Sequence, residues 1–373
     1  MRFTVSTTTL QKNLQLISGA IGNNRTFPIS ECFIFNIQDD NLSVTASDGD
    51  TSMSVDLKVM ADADGNVGIP AKMLLDILKS LPDQPLTFKV DTETHATEIL
   101  AHNGKYKLGG EDASDFLNIT QMNAATDTFG TPAAVWAEAI SKTLFAVGTD
   151  ELRPAMTGVF FRADDLGLTF VATDAHKLVR FQYDLNPDGA NAEFNLPKKA
   201  LTLLKNILPA GDATISVSYN RTSVLFAVGD VRLLCRLIDA RFPDYKTVIP
   251  IDNPNRLTIN RGDFAASLKR LAIFANKTSY QVVLELDGNE LKLNTQDVDY
   301  SNEAVERLAC SYEGNPMQIA FNARFLGETL SVLDVEEILL EMSSPNRAGI
   351  VLPAQQDENS HVLMLMMPLM LFS

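Results

Sequence analysis

The sequence has 373 residues and is poor in cysteine, in histidine and in positive charge. Its three cysteines, Cys32, Cys235 and Cys310, are far apart and do not form a CxxC pair, which argues against a disulfide framework and against a zinc site. The N-terminal residues lack the apolar core of a signal peptide. The apolar run at 361–373 is shorter than the about 20 residues that a membrane-spanning helix needs. We therefore expect a cytoplasmic protein that does not enter a membrane.

Sequence motifs for catalysis are also missing. No GxSxG, HExxH or GxxxxGK[ST] pattern occurs, which leaves out the common signatures of serine hydrolases, zinc proteases and phosphate-binding loops. Asp174 and His176 could serve as a general acid and base, or as half of a metal site. A metal site needs three or more ligands, however, and the other histidines lie in dissimilar contexts. We predict no catalytic site, no metal and no cofactor, and keep a hydrolase that uses Asp174 and His176 as the alternative.

Three similar blocks recur along the chain. Each contains an amphipathic helix, then two alternating strands joined by a tight Asp, Gly or Asn turn, and then a second helix with a strand on either side. The first helices are expected at 6–21, 131–147 and 260–276, the hairpins at 33–47, 159–173 and 282–296, and the second helices with their strands at 68–90, 195–217 and 320–342.

The repeat length indicates domains. A period of about 125 residues is too long for solenoid or propeller repeats, and turn-forming residues cluster near 124 and 252. We place three domains at 1–124, 125–252 and 253–373; chance similarity of α+β pieces is the alternative. The candidate N-cap residues of the three first helices are Ser6, Thr131 and Asp263.

Positive charge is scarce overall but concentrated in the predicted helices. These contain eleven basic and four acidic residues, a net +7 that leaves −23 for the rest of a chain whose net charge is −16. Such segregation favours one face for a polyanion; the alternative is that lysine simply forms helices well on solvated faces. No aromatic stacking pattern or recognition-helix spacing accompanies the lysines, so any nucleic acid would be bound by its phosphate backbone.

The sequence resembles the bacterial beta sliding clamps, the processivity subunit of DNA polymerase III. The likeness runs from MRFTVSTTTLQKNL to MMPLM and is most specific in FVATDAHKLVR (170–180), LIDARFPDYKTVIP (237–250) and GEDASDFLN (110–118). It implies an α+β fold of three repeated clamp domains, each with two helices packed on antiparallel sheets. It also implies a head-to-tail homodimer that closes as a ring around double-stranded DNA.

The same resemblance implies a function without catalysis. A clamp of this family tethers the polymerase III alpha subunit, the clamp loader and other proteins that carry a clamp-binding motif, in the cytoplasm and at the nucleoid. The family usually has Gly where Ala175 stands and Arg where Lys177 and Met370 stand, and often a basic residue at Thr247.

Three sets of site residues follow from the resemblance. The partner-peptide pocket would contain Met156, Thr173, Asp174, Ala175, His176, Lys177, Leu178, Pro243, Thr247, Val248, Leu365, Met367, Pro368 and Leu369. The DNA-binding residues would be Arg25, Lys72, Arg153, Lys198 and Lys199. The dimer interface would join Lys105, Tyr106, Lys107 and Leu108 of the first domain to Ile273, Phe274, Asp297, Asp299 and Glu303 of the third.

Overall fold

The computed structural model describes residues 1–22, 28–114, 116, 127–186 and 188–371. Within these residues the chain forms six α-helices: α1 (Thr7–Ile17), α2 (Ala71–Ser80), α3 (Ala133–Thr143), α4 (Lys198–Ile207), α5 (Arg261–Phe274) and α6 (Ala323–Ser331). None of these helices is long and apolar enough to cross a membrane.

The helices are amphipathic, as their sequences predict. In α1, Leu10, Leu14 and Ile17 are buried at intervals of three and four residues, which is the spacing of one helix face. Lys12 lies on the opposite, exposed face. Of the eleven basic residues in the predicted helices, ten are exposed, and Lys142 is half-buried.

Two of the three predicted helix caps differ from the expectation. Ser6 caps α1, because its side chain accepts a hydrogen bond from the backbone N–H of Thr9 at 3.4 Å. Thr131 lies in a strand instead of at a helix start. The cap of α5 is Asn260, which accepts from the backbone N–H of Asp263 at 3.0 Å. The predicted cap Asp263 is therefore inside the first turn, where its N–H needs a partner.

The described chain divides into two compact units, Met1–Ala137 with Lys199–Leu237, and Glu138–Lys198 with Ile238–Ser373. With strands numbered in chain order, the first unit contains β1 (Arg2–Ser6), β2 (Cys32–Gln38), β3 (Asn41–Ser47), β4 (Thr51–Lys58), β5 (Met60–Ala63), β6 (Gly65–Pro70), β7 (Pro85–Val90), β8 (Thr97–Ala101), β9 (Gly104–Leu108), β10 (Asp127–Pro132), β15 (Thr214–Tyr219), β16 (Ser223–Val228) and β17 (Val231–Arg236). The second contains β11 (Gly158–Asp164), β12 (Gly167–Thr173), β13 (Lys177–Tyr183), β14 (Ala192–Pro197), β18 (Asn255–Asn260), β19 (Gln281–Asp287), β20 (Glu290–Asp297), β21 (Asn302–Ala309), β22 (Ser311–Glu313), β23 (Met317–Asn322), β24 (Glu337–Met342), β25 (Gly349–Pro353) and β26 (Ser360–Met366).

The first unit holds two antiparallel sheets, ordered β5-β1-β7-β8-β9 and β10-β15-β16-β17-β4-β3-β2-β6. In the larger sheet β17 pairs with β4, with Leu233 opposite Met53, so a strand of the second repeat continues the sheet of the first. The rings of Phe3 and Phe88 stack with centroids 4.7 Å apart in the core, and α1 packs against α2.

The second unit repeats this plan with sheets ordered β14-β11-β12-β13-β26-β25-β24-β18-β22 and β21-β20-β19-β23. Here β26 pairs with β13 on one side and with β25 on the other. The apolar run near the C-terminus is therefore a central strand, and Val362, Met364, Leu365 and Met366 are buried in it.

The repeated elements are confirmed. The three predicted hairpins are β2–β3, β11–β12 and β19–β20, and each repeat contributes two helices to antiparallel sheets. The domain boundaries stay predictions, and the first of them, between residues 124 and 125, lies outside the described residues.

Candidate functional site

An apolar cluster lies on one face of the nine-stranded sheet of the second unit. Strand residues supply its floor, with Leu178 on β13 directly opposite Leu365 on β26. The segment that precedes β18 covers this cluster. Its Tyr245 is only 9% exposed, and the ring of its Phe242 stacks on the ring of Phe160 with centroids 5.0 Å apart. We call this the sheet cluster; its buried members are Phe160, Val171, Leu178, Tyr245, Ala348 and Leu365.

The covering segment is held by a short helical turn, Tyr245–Val248. Asp244 caps this turn, since its side chain accepts from the backbone N–H of Lys246 and its carbonyl accepts from the Thr247 hydroxyl at 2.8 Å. The turn buries Tyr245 in the sheet cluster and leaves Thr247 and Val248 exposed at the rim. Three of the predicted pocket residues, Pro243, Thr247 and Val248, therefore lie on one segment beside the cluster.

The loop between β12 and β13 forms a second side of the site. The Thr173 hydroxyl donates to the Lys177 carbonyl at 2.8 Å. One oxygen of Asp174 accepts from the backbone N–H groups of His176 and Lys177, each at 2.9 Å. Ala175 has φ +74°, a left-handed conformation that favours glycine. The Asp174 carboxylate thus closes a turn.

Lys177 ties this turn to α6. Its side chain is only 6% exposed, and its ammonium lies 2.8 Å from Asp174 and 3.5 Å from Glu328. It also lies 4.1 Å from the centre of the Phe325 ring. Burial alone would raise the pKa of Asp174, but the hydrogen bonds from Lys177 and from the two backbone N–H groups outweigh it and lower that pKa.

The residues after β26 complete the rim. The backbone N–H of Met367 donates to the His176 carbonyl at 2.9 Å, and that of Leu369 donates to Ala320 at 2.8 Å. Pro368 lies between Met367 and Leu369, just past the end of β26. A proline has no backbone N–H to donate, and at this position no strand pairing requires one. Met367 is 44% exposed and flexible enough to repack around different ligands.

All fourteen predicted pocket residues belong to the second unit. Met156 joins the others through Gly148, whose N–H donates to the Met156 carbonyl at 2.8 Å and which lies against Asp174. The resemblance supplied Leu178 and Leu365 but missed the other apolar residues packed around them, although Tyr245 stands inside the FPDY segment that it had singled out. The missed residues are Phe160, Val171, Phe242, Tyr245, Ile249, Ala348 and Leu363.

The four predicted DNA-binding residues that the structure describes are exposed, and two of them form ion pairs with a neighbouring carboxylate. Arg25 lies outside the described residues. Lys72 and Lys198 are exposed on α2 and α4. Lys199 pairs with Asp48 at 2.5 Å, and Arg153 pairs with Asp150 at 2.8 Å.

The predicted dimer residues occupy two sheet edges. Strand β9, with Lys105, Tyr106, Lys107 and Leu108, ends the five-stranded sheet, and β21, with Glu303, ends the four-stranded sheet. Ile273 is 66% exposed and Phe274 is 41% exposed at the end of α5.

One predicted interface carboxylate is not available. Asp297 is 2% exposed and accepts from the backbone N–H of Asp299 at 3.2 Å, so burial in its own turn keeps it from facing a partner. Asp299 and Glu303 are exposed. Within the described ranges, no three His, Cys, Asp or Glu side chains are close enough together to hold a metal ion.

Three domain families match the chain in order. The DNA polymerase III beta subunit N-terminal domain matches residues 1–120, its central domain 131–244 and its C-terminal domain 246–368. This chain belongs to the DNA polymerase III beta subunit family. The beta sliding clamp of Vibrio cholerae is 27% identical over 365 residues, which cover 98% of this chain and 99% of that protein.

Solved structures agree over the whole length. The Bartonella birtlesii sliding clamp bound to griselimycin is 26% identical with a TM-score of 0.93, and the Thermotoga maritima DNA polymerase III beta subunit is 26% identical with a TM-score of 0.89. Each match covers 100% of both chains.

The family settles the class of function. Its members are sliding clamps, which serve polymerase processivity without a catalytic site, and this chain shares that function. The alternative of a hydrolase that uses Asp174 and His176 is not supported, and Asp174 is committed to the turn described above.

Proposed function

We propose that two copies of this chain close head to tail as a ring around duplex DNA. Each chain offers two sheet edges of different character, and open edges invite pairing with another chain. The β9 edge carries Lys105 and Lys107, whereas Asp299 and Glu303 lie at the β21 edge. Opposite charges favour the pairing of β9 with β21 over pairing of like edges. This difference between the two edges is the observation that carries the proposal.

Exposed apolar side chains near β21 support the same interface. A patch of this kind on an otherwise charged surface is typical of a contact site. Besides Ile273 and Phe274, the patch includes three residues that the resemblance did not point to. These are Val298, Tyr300 and Val305, which are 78%, 75% and 47% exposed.

A closed ring explains why exposed lysines suffice for DNA. Contacts to phosphates alone are weakened steeply by salt, but a closed ring cannot leave a circular duplex without opening. Weak contacts from residues such as Lys72 and Lys198 therefore permit sliding and still retain the protein. The ring would act in the cytoplasm, at the nucleoid.

The test of this proposal is retention on nicked circular duplex. Loaded protein should migrate with the circle during gel filtration at 0.5 M salt. Already at about 0.1 M salt, charges more than about 10 Å apart are largely screened, so retention at 0.5 M would not come from charge attraction alone. Cutting the circle once should release it within the run. Equal loss from cut and uncut DNA would contradict encirclement.

We further propose that the sheet cluster and its rim hold short peptides of the polymerase alpha subunit, the clamp loader and other partners. Two or three buried Leu or Phe side chains would each contribute about 1.5–3 kcal/mol before ordering costs. Micromolar affinity is the expected order, and it lets partners exchange.

The rim after β26 gives a clean test of the peptide site. Leu365 and Met366 are buried strand residues, so a deletion that spares the sheet must begin at Met367. Removing 367–373 should abolish binding of a labelled Leu/Phe peptide while sedimentation shows an unchanged oligomer. Unaltered peptide affinity would exclude the rim from the site.

A further inference from the structure

Arg180 stands among apolar side chains on the face of the large sheet that carries the sheet cluster. It lies on β13 directly opposite Val171 on β12 and Leu363 on β26, and directly opposed residues of antiparallel strands share a face. Val171 belongs to the sheet cluster, and Leu363 packs against it. The register therefore puts a guanidinium beside the proposed peptide pocket.

The guanidinium of Arg180 has an unmet hydrogen bond. The residue is half-buried, and its Nε is buried without a partner among the described residues. Arginine keeps its charge at any pH that the protein meets, and a buried charged donor is destabilising until an acceptor reaches it.

Asp164 at the end of β11 and Asp184 just after β13 are bonded to other side chains. Arg162, two residues after Phe160 on β11 and so on the same face, pairs with Asp164 at 2.7 Å. Asp184 is bonded to two other side chains, at 2.8 and 2.9 Å. The Nε of Arg180 is thus left without an acceptor among the described residues.

Tyr245 shows how close this charge is to the pocket. Burial raises the pKa of the Tyr245 hydroxyl, the charges of Arg180 and Arg162 oppose that rise, and the carboxylates of Asp164 and Asp244 add to it. Tyr245 is a buried member of the sheet cluster, on the same turn as the rim residues Thr247 and Val248. A ligand held at this rim would come within reach of Arg180.

We propose that Arg180 is an anion subsite of the peptide pocket, and that a partner peptide places a carboxylate against it beside the Leu or Phe side chains that enter the apolar pocket. This inference rests on the proposed function. A guanidinium suits a carboxylate because its planar set of N–H donors can engage both oxygens. The carboxylate comes from an Asp or Glu side chain or from a free peptide C-terminus.

The test uses fluorescein-labelled peptides with Leu and Phe anchors and an amidated C-terminus. A single Asp is moved through every other position, and each peptide is matched by one with Asn there. Fluorescence anisotropy with the full chain should show one position at which Asp binds about tenfold tighter than Asn, the size of a charge-assisted hydrogen bond. A peptide with a free C-terminus and no Asp tests the second source of the carboxylate.

Two substitutions make the assignment specific. In R180Q, both the Asp preference and any gain from a free C-terminus should vanish, while affinity for the Asn peptide stays within about twofold. R162Q removes a neighbouring charge that is already paired, so it should keep the preference. R180K keeps the charge without the planar donor set, and part of the preference should remain.

Three results would overturn the inference. The first is equal binding of all Asp and Asn peptides, with no gain from the free C-terminus. The second is a preference that survives in R180Q, and the third is an equal loss in R162Q, which would assign it to general positive potential. If none of the Leu and Phe peptides binds, the proposed pocket itself fails. Circular dichroism of R180Q and R180K confirms that the variants are folded.

Discussion

Replacing Lys177 with Met should destabilise the second unit. The ammonium is 6% exposed and pairs with Asp174 at 2.8 Å, with Glu328 at 3.5 Å and with the Phe325 ring at 4.1 Å. Removing one partner of a buried pair costs about 3–5 kcal/mol. Asp174 keeps two backbone hydrogen bonds and is 18% exposed, so we expect a smaller loss of about 2–3 kcal/mol.

Calorimetry measures this loss. For a unit of about 200 residues, it corresponds to a fall in unfolding temperature of roughly 4–12 °C. Lys269→Met is the matched control, because Lys269 is exposed on α5 of the same unit and surface changes usually alter stability by less than about 0.5 kcal/mol. A Lys177→Met protein as stable as this control would refute the proposed tie between the turn and α6.

The pH dependence gives a second readout of the same pair. The pKa of Asp174 is lowered in the folded chain because hydrogen bonds from Lys177 and two backbone N–H groups outweigh its burial. A carboxyl with a depressed folded pKa contributes stability above its unfolded pKa, near 3.9, and loses it as pH falls through the folded value. The deficit of Lys177→Met should be constant from about pH 5 to 8 and shrink below about pH 4. An unchanged deficit in acid would exclude Asp174 as the partner.

Three further changes test separate parts of the molecule. Ala175→Gly should stabilise the chain by about 0.5–1 kcal/mol in denaturant unfolding, because φ is +74° there and a left-handed alanine is strained; a destabilised variant would contradict this. Asp48→Asn frees Lys199 from its 2.5 Å ion pair and should steepen the dependence of DNA binding on salt by about one phosphate contact; an identical slope would remove Lys199 from the DNA surface. Ile273→Ala with Phe274→Ala should shift sedimentation towards monomer, since each truncation removes about 2–5 kcal/mol of buried contact; an unchanged dimer would exclude both residues from the interface.

Local elements could be predicted from the sequence because their signals are local. The hairpins follow from alternation around an Asp, Gly or Asn turn, and the helices from apolar residues every three or four positions. The predicted cap of α5, Asp263, was wrong. Asn260 and Asp263 both suit a helix start, and only the position of the first helical residue decides between them.

Pairing between distant strands could not be predicted in this way. Alternation shows that β13 and β26 are strands, but it does not say that Leu178 meets Leu365. The apolar floor of the pocket depends on this pairing, and burial of Tyr245 depends on how its segment packs against that floor, which local alternation does not show either. Burial of Asp297 depends on a turn, so its charge alone suggested a surface role. The role proposed for Arg180 depends on its position directly opposite Val171 on the neighbouring strand, which the sequence alone does not show.

The proposed ring requires that lysine-bearing helices line the hole through which duplex DNA passes. Electron cryomicroscopy of the protein loaded on nicked circular duplex tests it most directly. We expect a ring of two chains, with β9 of each next to β21 of the other, DNA inside, and Lys72 and Lys198 facing its phosphates. A ring whose helices point outward, or DNA bound on an outer surface, would contradict the account.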